Sequence, residues 1–224
     1  MKNLRKLLGL TAVTLLLMLL ISAWAWGQIP ADAQLPVHWN AAGEVDRYGG
    51  KVEGLLLSPI ITAGLMVLVA FITRLEPRRG NFLQSEKAFT MFWYVLLLFF
   101  LMLHVTTTGI ALGYNIPLPL VIGVGIGLMF IVLGNFMGKI RSTYTFGIRT
   151  PWTLDSDLSW NKTHRLGGKL FMATGVLVLL TAVLGSSILM FWVLMGGILI
   201  TVGVSMVYSY IVWKNDPDAQ ARRA

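Results

Sequence analysis

Six long apolar stretches decide what this chain can fold into. A helix needs about 20 mostly apolar residues to cross a bilayer, and each stretch approaches or exceeds that length. None of the six contains Asp, Glu, Lys or Arg. Backbone N–H and C=O groups without hydrogen-bond partners are too costly in hydrocarbon, so stretches of this kind cross a membrane as helices. We predict spans at residues 7–26, 55–73, 88–113, 116–136, 170–187 and 188–213.

The composition indicates the same class. Hydrophobic residues make up 56% of the 224 residues and charged residues only 12%, whereas a soluble domain has about 25% charged residues. The absence of cysteine excludes disulfides and thiol chemistry. We predict an all-α polytopic membrane protein, a six-transmembrane-helix bundle with a short structured extracytoplasmic loop and a cytoplasmic interfacial loop or helix. We expect two parts, 1–74 with a motif loop at 28–54, and 75–224 with a motif loop at 137–169.

The basic residues predict the orientation. Of the 18 Lys and Arg residues, only Arg47 and Lys51 lie between the first two spans, and the other loops on that side have none. Since cytoplasmic loops carry the excess of Lys and Arg, we expect a bacterial cytoplasmic (inner) membrane protein with both termini in the cytoplasm. The net charge of +8 then reflects these loops, and we expect no direct contact with nucleic acid. The first apolar run is longer than a signal-peptide core, so we expect it to stay uncleaved.

The segment 28–54 lies outside the cell in this orientation. Proline, glycine and Asn40 divide it into turns and extended pieces, and it is too poor in apolar residues to form a domain, so we expect a cap on the outer helix ends. Three interpretations stay open. The segment is a structured turn in which Asn40 and Asp46 bond local backbone, a surface for a partner, or a cation site using His38, Glu44 and Asp46.

The segment GIRTPWTLDSDLSWNKTHRLGGKLF, from Gly147 to Phe171, is a polar island between apolar stretches. Thr150 precedes a proline, which favours an extended backbone. Asp155 or Ser156 can cap a short helix over about 157–165, and we expect that helix to lie in the interface plane. Gly167-Gly168 predicts a flexible corner before the fifth span.

Aromatic and apolar residues of the island suit the same location. Trp152 and Trp160 are expected in the headgroup layer, where amphipathic rings settle. Leu154 and Leu158 are four residues apart and are expected to share the apolar face of the short helix.

The basic residues of the island allow two interpretations. Arg149, Lys162, Arg165 and Lys169 at the cytoplasmic surface each gain about 1 kcal/mol from anionic lipid. Alternatively, Arg149 together with His164 or Arg165 makes fixed hydrogen bonds. For Arg149 a structural staple, a contact with a protein partner and a contact with lipid or substrate all stay open.

Several kinds of chemistry lack their usual residues. The spans contain no ionisable residue except His104, which we expect to hydrogen-bond neighbouring helices, and this disfavours an ion-coupled transporter. We find no zinc-protease, serine-hydrolase or phosphate-loop motif. The run 123–127, with glycine at alternate positions, is typical of a membrane helix packing face. We predict no catalytic residue, no cofactor and no metal site, and therefore no enzyme.

Two motifs carry a resemblance to a known family. The stretch LPVHWNAAGEVDRYGGK resembles the short extracytoplasmic motif of bacterial membrane proteins of the SdpI type. The polar island, with Gly134-Asn135 before it, resembles the signature of that family's second half. The resemblance covers both motifs and the six-span layout, so it extends over nearly the whole chain.

The resemblance implies a function. The family's namesake is an immunity protein that protects a bacterium from a secreted, membrane-active peptide toxin. It is also a signalling receptor that holds a small winged-helix repressor at the membrane. By this resemblance the toxin-facing residues are His38, Trp39, Asn40, Glu44, Asp46 and Arg47. The cytoplasmic motif comprises Gly147, Arg149, Thr150, Pro151, Trp152, Trp160, Thr163, His164, Arg165 and Lys169. The implied partners are a peptide toxin, a winged-helix repressor and membrane lipids.

Two alternatives stay open. A membrane enzyme or transporter could handle a lipid or peptide at the cytoplasmic interface, with His164 as acid–base group and Arg149 and Lys169 holding an anionic headgroup. In the second alternative, the chain is a purely structural partner in a larger complex.

Overall fold

The computed structural model describes residues 2–222, which form helices and one small sheet. The elements are α1 (Lys2–Gln28), β1 (Leu35–Trp39), β2 (Val45–Gly49), α2 (Lys51–Leu75), α3 (Arg79–Gln84), α4 (Glu86–Ala111), α5 (Leu118–Met137), α6 (Pro151–Asp155), α7 (Asp157–Val183), α8 (Ser187–Lys214) and α9 (Pro217–Ala221). Six of them, α1, α2, α4, α5, α7 and α8, are long and apolar enough to cross a membrane. The predicted all-α polytopic class is confirmed.

The long helices form two groups that share α4. Helices α1, α2 and α4 pack on one another, α7 packs between α5 and α8, and α4 joins the groups by packing on α5. The hairpin of β1 and β2 lies at one end, which we call the outer end. The loop between α5 and α6 lies at the opposite, inner end. The expected division at residues 74 and 75 stays a prediction.

Small residues bring α5 and α7 into backbone contact. A Cβ added at Gly127 would lie 2.9 Å from the carbonyl oxygen of Gly175, and one at Gly123 would lie 2.5 Å from the Cβ of Ala182. The two backbones are also in contact at the inner end, where Gly134 and Gly168 each lie against the carbonyl oxygen of the other. The predicted packing face is confirmed, and it is longer than the sequence interpretation assumed.

The predicted flexible corner at Gly167-Gly168 is wrong. Both residues lie inside α7, which runs unbroken from Asp157 to Val183. Glycine weakens a helix in water, but here the missing side chain lets two backbones meet. The two glycines therefore serve packing, since a Cβ at Gly168 would lie 2.5 Å from the oxygen of Gly134.

The predicted interfacial helix over about 157–165 is also wrong as a separate element. Those residues form the first turns of α7, and Ser156 caps that helix by accepting from the Ser159 amide at 2.9 Å. A shorter helix, α6, precedes it. Leu154 therefore lies in α6 and Leu158 in α7, where Leu158 is exposed, so they do not share one apolar face.

The first group of helices is tied by polar contacts in its interior. His104 of α4 donates from Nε2 to the carbonyl oxygen of Met18 in α1 at 3.0 Å. Trp93 donates to the hydroxyl of Thr11 at 2.8 Å. The expectation that His104 bonds a neighbouring helix is confirmed, and buried polar groups of this kind need such partners.

A matched pair of glycine variants tests the contact between α5 and α7. Gly168→Ala should lower the stability of the full chain by about 1–3 kcal/mol, because the methyl group forces the two backbones apart. The control is Gly203→Ala in α8, where an added Cβ meets nothing within 4 Å. Thermal unfolding in neutral detergent measures both. A Tm of Gly168→Ala equal to that of the control would contradict the close contact.

Candidate functional site

The outer hairpin closes with a turn built around Asn40. The Oδ1 atom of Asn40 accepts from the amides of Ala42 at 2.9 Å and Glu44 at 3.0 Å. Gly43 has a φ of +84°, the left-handed conformation that favours glycine at the end of such a loop. The predicted role of Asn40 in local backbone bonding is confirmed, whereas Asp46 bonds a side chain instead.

Polar and charged side chains of the hairpin hydrogen-bond to one another on its exposed surface. His38 Nδ1 lies 2.5 Å from Asp46 Oδ1, across the two strands. Arg47 donates to Glu53 at the start of α2 at 2.6 Å. Asn40 donates from Nδ2 to the Glu44 carboxylate at 3.2 Å. These bonds join five of the six predicted toxin-facing residues, all except Trp39, to partners within or next to the hairpin. Residues 2–222 contain no group of His, Asp or Glu arranged to hold a metal ion.

The hairpin is anchored at both of its ends. At its base Lys51 donates to the carbonyl oxygens of Trp26 and Ile29, each at 2.6 Å, while Leu35 is buried. At its tip Gly43 lies against the second group of helices, since a Cβ there would lie 2.5 Å from Pro119. The hairpin therefore bridges the outer ends of both helix groups, which agrees with the expected cap.

An apolar pocket opens beneath the hairpin tip. Its volume is about 150 Å³, and it lies between the tip, α5 and α8. The lining includes Trp39, Asn40, Ile122, Phe191 and Leu194. Binding sites are typically apolar with a few polar groups at the border, and a volume of about 150 Å³ suits a single side chain.

A stacked tryptophan and histidine form the centre of the inner end. The rings of Trp160 and His164, one turn apart on α7, lie 4.1 Å apart and nearly parallel. Trp160 donates from Nε1 to the carbonyl oxygen of Ile140 at 2.7 Å. Trp160 is 1% exposed, so its predicted place in the headgroup layer is wrong. A carbonyl of the inner loop, residues 138–150, satisfies the indole within the protein.

His164 is occupied on both ring nitrogens. Its Nδ1 donates to the carbonyl oxygen of Trp160 at 2.8 Å, and its Nε2 accepts from the amide of Ile148 at 2.9 Å. These partners assign the neutral Nδ1–H tautomer. Gly147, with a φ of +114°, passes so close that a Cβ would lie 2.6 Å from Nε2. His164 thus holds the inner loop and has no free nitrogen for acid–base chemistry.

The Thr-Pro-Trp-Thr sequence connects the inner loop to α8. Thr150 has an extended backbone, as predicted, and caps α6 by accepting from the Thr153 amide. Its hydroxyl also lies 3.0 Å from that of Ser209 in α8. Pro151 begins α6, and Trp152 packs on Tyr210 of α8 at 5.2 Å between ring centroids.

The remaining residues of the predicted cytoplasmic motif are Arg149, Thr163, Arg165 and Lys169. Arg149 is exposed and donates to the carbonyl oxygen of Tyr144 at 2.5 Å. This hydrogen bond joins two residues of the inner loop, as the structural interpretation of Arg149 expects. Thr163 is buried, and its hydroxyl has no partner among the described residues. Arg165 and Lys169 are exposed on α7. The binding roles of these residues stay predictions.

Sequence reasoning missed Glu76, which organises the other side of the inner loop. Its buried carboxylate accepts from the amides of Arg78 at 2.8 Å, Tyr144 at 3.1 Å and Thr145 at 2.7 Å, and from the Thr145 hydroxyl. Burial by itself raises the pKa of Glu76, but these hydrogen bonds outweigh it and leave the pKa below its ordinary value. The sequence feature that could have indicated Glu76 is that it is the one acidic residue in 74–79, a segment with three arginines.

The C-terminal end of the chain is bound to the same region. Ser156 donates to the carboxylate of Asp216 at 2.5 Å, and Trp213 donates to Asp155 at 2.6 Å. Arg222 donates to the carbonyl oxygen of Asp155 at 2.7 Å. The polar island therefore clamps the inner ends of α5, α7 and α8 and the short helix α9.

The fold and the two polar ends define a multi-pass membrane protein with an anchored outer hairpin and an inner clamp. The model of the SdpI/YfhL protein family matches residues 139–209, which include the polar island of residues 147–171. A domain of unknown function (DUF1648) matches residues 13–63, which include the hairpin. These matches confirm the resemblance to the SdpI family.

The chain is also similar to a curated protein, the "Immunity protein SdpI" of Bacillus subtilis (strain 168). The identity is 23% over 184 residues, which cover 81% of this chain and 84% of that protein. No solved structure matches the chain.

Glu76 makes the stability of the inner end dependent on pH. Because its pKa is lower in the folded chain than its ordinary value, its carboxylate stabilises the fold above an ordinary Glu pKa of about 4.3. That contribution is lost as the pH falls through the lower folded-state value. Glu76→Gln should lower Tm at pH 7, and the gap to the wild type should narrow in acid.

The control for Glu76→Gln, measured over the same range from pH 3 to pH 7, is Glu44→Gln at the outer hairpin. This exposed change should keep the Tm at pH 7 within about a degree of the wild type. A constant gap between Glu76→Gln and the wild type over that range would contradict the assigned role of the Glu76 carboxylate.

Proposed function

We propose that this chain is a bacterial membrane immunity protein that gives resistance to a secreted membrane-active peptide. The similarity to an immunity protein supports this, since the alignment covers most of both chains. One matched segment contains the outer hairpin and the other contains the polar island, so each includes one structured end of the bundle. The mechanism is binding, without a catalytic step.

The proposed orientation puts the hairpin outside and the clamp in the cytoplasm. Only Arg47 and Lys51 among the Lys and Arg residues lie on the hairpin side, and such an imbalance sets orientation. Six crossings return the chain to the side from which it started. Both termini then lie in the cytoplasm, and the protein resides in the inner membrane.

The apolar pocket under the hairpin tip is the observation that carries the proposal. It lies at the outer end, where a secreted peptide arrives, and it is open between α5 and α8. Trp39 and Asn40 border it, so residues of the outer motif and of the membrane helices meet there. A membrane-active peptide has apolar side chains, and one of them can fill a cavity of about 150 Å³. Capture there keeps the peptide from depolarising the membrane.

The structure weakens the alternative of an acid–base enzyme. Its required base, His164, is buried and bonded at both nitrogens. The outer pocket contains no residue that ionises near neutral pH among the described residues that line it.

Filling the pocket tests the proposal. Ile122→Phe should abolish protection of the membrane potential when sensitive cells carrying the protein are challenged with secreted membrane-active peptides. The matched control is Leu199→Phe, a side chain of α8 that is 71% exposed and does not line the pocket. Potential is read with a voltage-sensitive dye at equal protein abundance. Full protection by Ile122→Phe would remove the pocket from the mechanism. No protection by the wild type against any peptide would remove the immunity function.

Recruitment of a small winged-helix repressor is a further part of the proposal. A recess of about 310 Å³ at the inner end is lined by Asp155, Asp157, Asp216 and Asp218, together with Arg78 and Arg222. Proteins that bind DNA carry basic surfaces, and such a surface complements a recess with an excess of acidic residues.

The recess is tested by Asp157→Asn with Asp218→Asn, since both side chains are exposed. Purification of the protein from peptide-treated cells should retain a small winged-helix protein with the wild type and lose it with this double variant. Asp32→Asn with Glu44→Gln at the outer end is the control. Equal retention by the two double variants, or no winged-helix protein with the wild type, would contradict recruitment at the recess.

A further inference from the structure

A second and larger recess at the inner end collects basic residues. Its volume is about 750 Å³, and it lies where the inner loop leaves α5 and passes the first turns of α7. Its polar lining consists of Gln84, Lys139, Arg141, Asn161, Lys162 and Arg165. No carboxylate is among the described residues that line it. Beyond Leu158, which borders both recesses, lie the aspartates of the acidic recess.

The cations of this recess lack protein acceptors. Within residues 2–222, the side chains of Arg141, Lys162 and Arg165 form no hydrogen bond or ion pair, and Lys139 contacts the ring of Phe136 at 4.5 Å. Arginines elsewhere at this end behave differently, since Arg78 and Arg149 each donate to backbone carbonyl oxygens. Four exposed cations therefore line one recess whose described lining has no carboxylate, and such a cleft attracts anions.

The walls of the recess are fixed by buried contacts. Trp160 holds the carbonyl oxygen of Ile140, and the Ser85 hydroxyl accepts from the Arg141 amide at 2.8 Å. Gly138 leaves room for the side-chain stem of Arg165, because a Cβ there would lie 3.3 Å from its Cγ. The backbone that carries the cations is therefore preorganised.

The level of the recess along the bundle points to the ligand. Helix α5 has 20 residues, which is about 30 Å or the thickness of the hydrocarbon core. The recess begins at Gly138, directly after that helix, and so opens at the depth of the lipid headgroups. Arginine and lysine together bind phosphate oxygens strongly, arginine as a fork and lysine as a point charge.

We propose that this basic recess is a binding site for the phosphate of an anionic phospholipid headgroup. Its volume lies within the range of about 300–1,000 Å³ that is usual for small-molecule sites. The shared chemistry is a phosphate group, and its other source is soluble phosphate. The site is independent of the proposed immunity function, because its residues are not those of the outer pocket.

The test compares two double variants of the full chain in neutral detergent. Lys162→Gln with Arg165→Gln removes two cations of the recess. Arg74→Gln with Arg79→Gln removes two exposed cations at the same end of the bundle that do not line it. Short-chain phosphatidylglycerol, short-chain phosphatidylcholine and inorganic phosphate are titrated, and Kd is obtained from the shift in Tm.

We expect saturable binding of phosphatidylglycerol by the wild type and about 30-fold weaker binding by the recess variant, since each removed charge weakens attraction to anionic lipid. The control variant should bind like the wild type, and phosphatidylcholine should bind weakly to all three. Equally tight binding of inorganic phosphate, lost in the recess variant alone, would support the phosphate site and assign it to the soluble ion.

Three results would overturn the lipid site. Equal weakening by both double variants would show diffuse surface charge instead of a site. Equal affinity for phosphatidylcholine would exclude anion recognition. No Tm shift of the wild type with either phosphatidylglycerol or inorganic phosphate would remove the phosphate site. Ligand-free Tm values establish that each variant is folded.

Discussion

The stacked pair of Trp160 and His164 fixes the inner end of the protein. Trp160 binds the carbonyl oxygen of Ile140, and His164 binds the amide of Ile148, so both sides of the inner loop are tied to one turn of α7. An unpaired buried amide or indole costs about 1–3 kcal/mol, which makes each of these bonds expensive to break. The basic recess, the capped helix α6 and the contact with α8 all depend on the position of that loop.

The six spans could be predicted because hydrocarbon leaves the backbone one local solution, and apolar length alone reveals it. Their packing was harder to predict. In a water-soluble protein the pair Gly167-Gly168 is typical of a flexible corner, but here Gly168 contacts Gly134, which lies 34 positions earlier in the chain. Sequence periodicity shows which residues are small, not which carbonyl lies opposite them.

The site was predictable to different extents at its two ends. At the hairpin, Asn40 acts within four residues of itself, and such local bonding follows from residue type and spacing. At the inner end, the sequence suggests that Trp160 is an interfacial anchor. In the fold its indole donates to the carbonyl oxygen of Ile140, 20 positions earlier in the chain, and this partner could not be read from local sequence. Glu76 shows the same limit, because its donors Tyr144 and Thr145 lie more than 60 positions away.

The two ends hold α8 differently, and this difference is relevant to the outer pocket. The buried residues of α8 lie between Thr201 and Val212, in its inner half, where Ser209 meets Thr150. Its outer half lines the pocket with Phe191 and Leu194. The exposed outer half of α8 suits contact with lipid, because lipid tails are as apolar as its side chains. It still packs on α5, since a Cβ added at Gly123 would overlap the sulfur of Met190. Both residues line the pocket, so this contact between α5 and α8 sets its walls at the end of the bundle opposite the inner clamp.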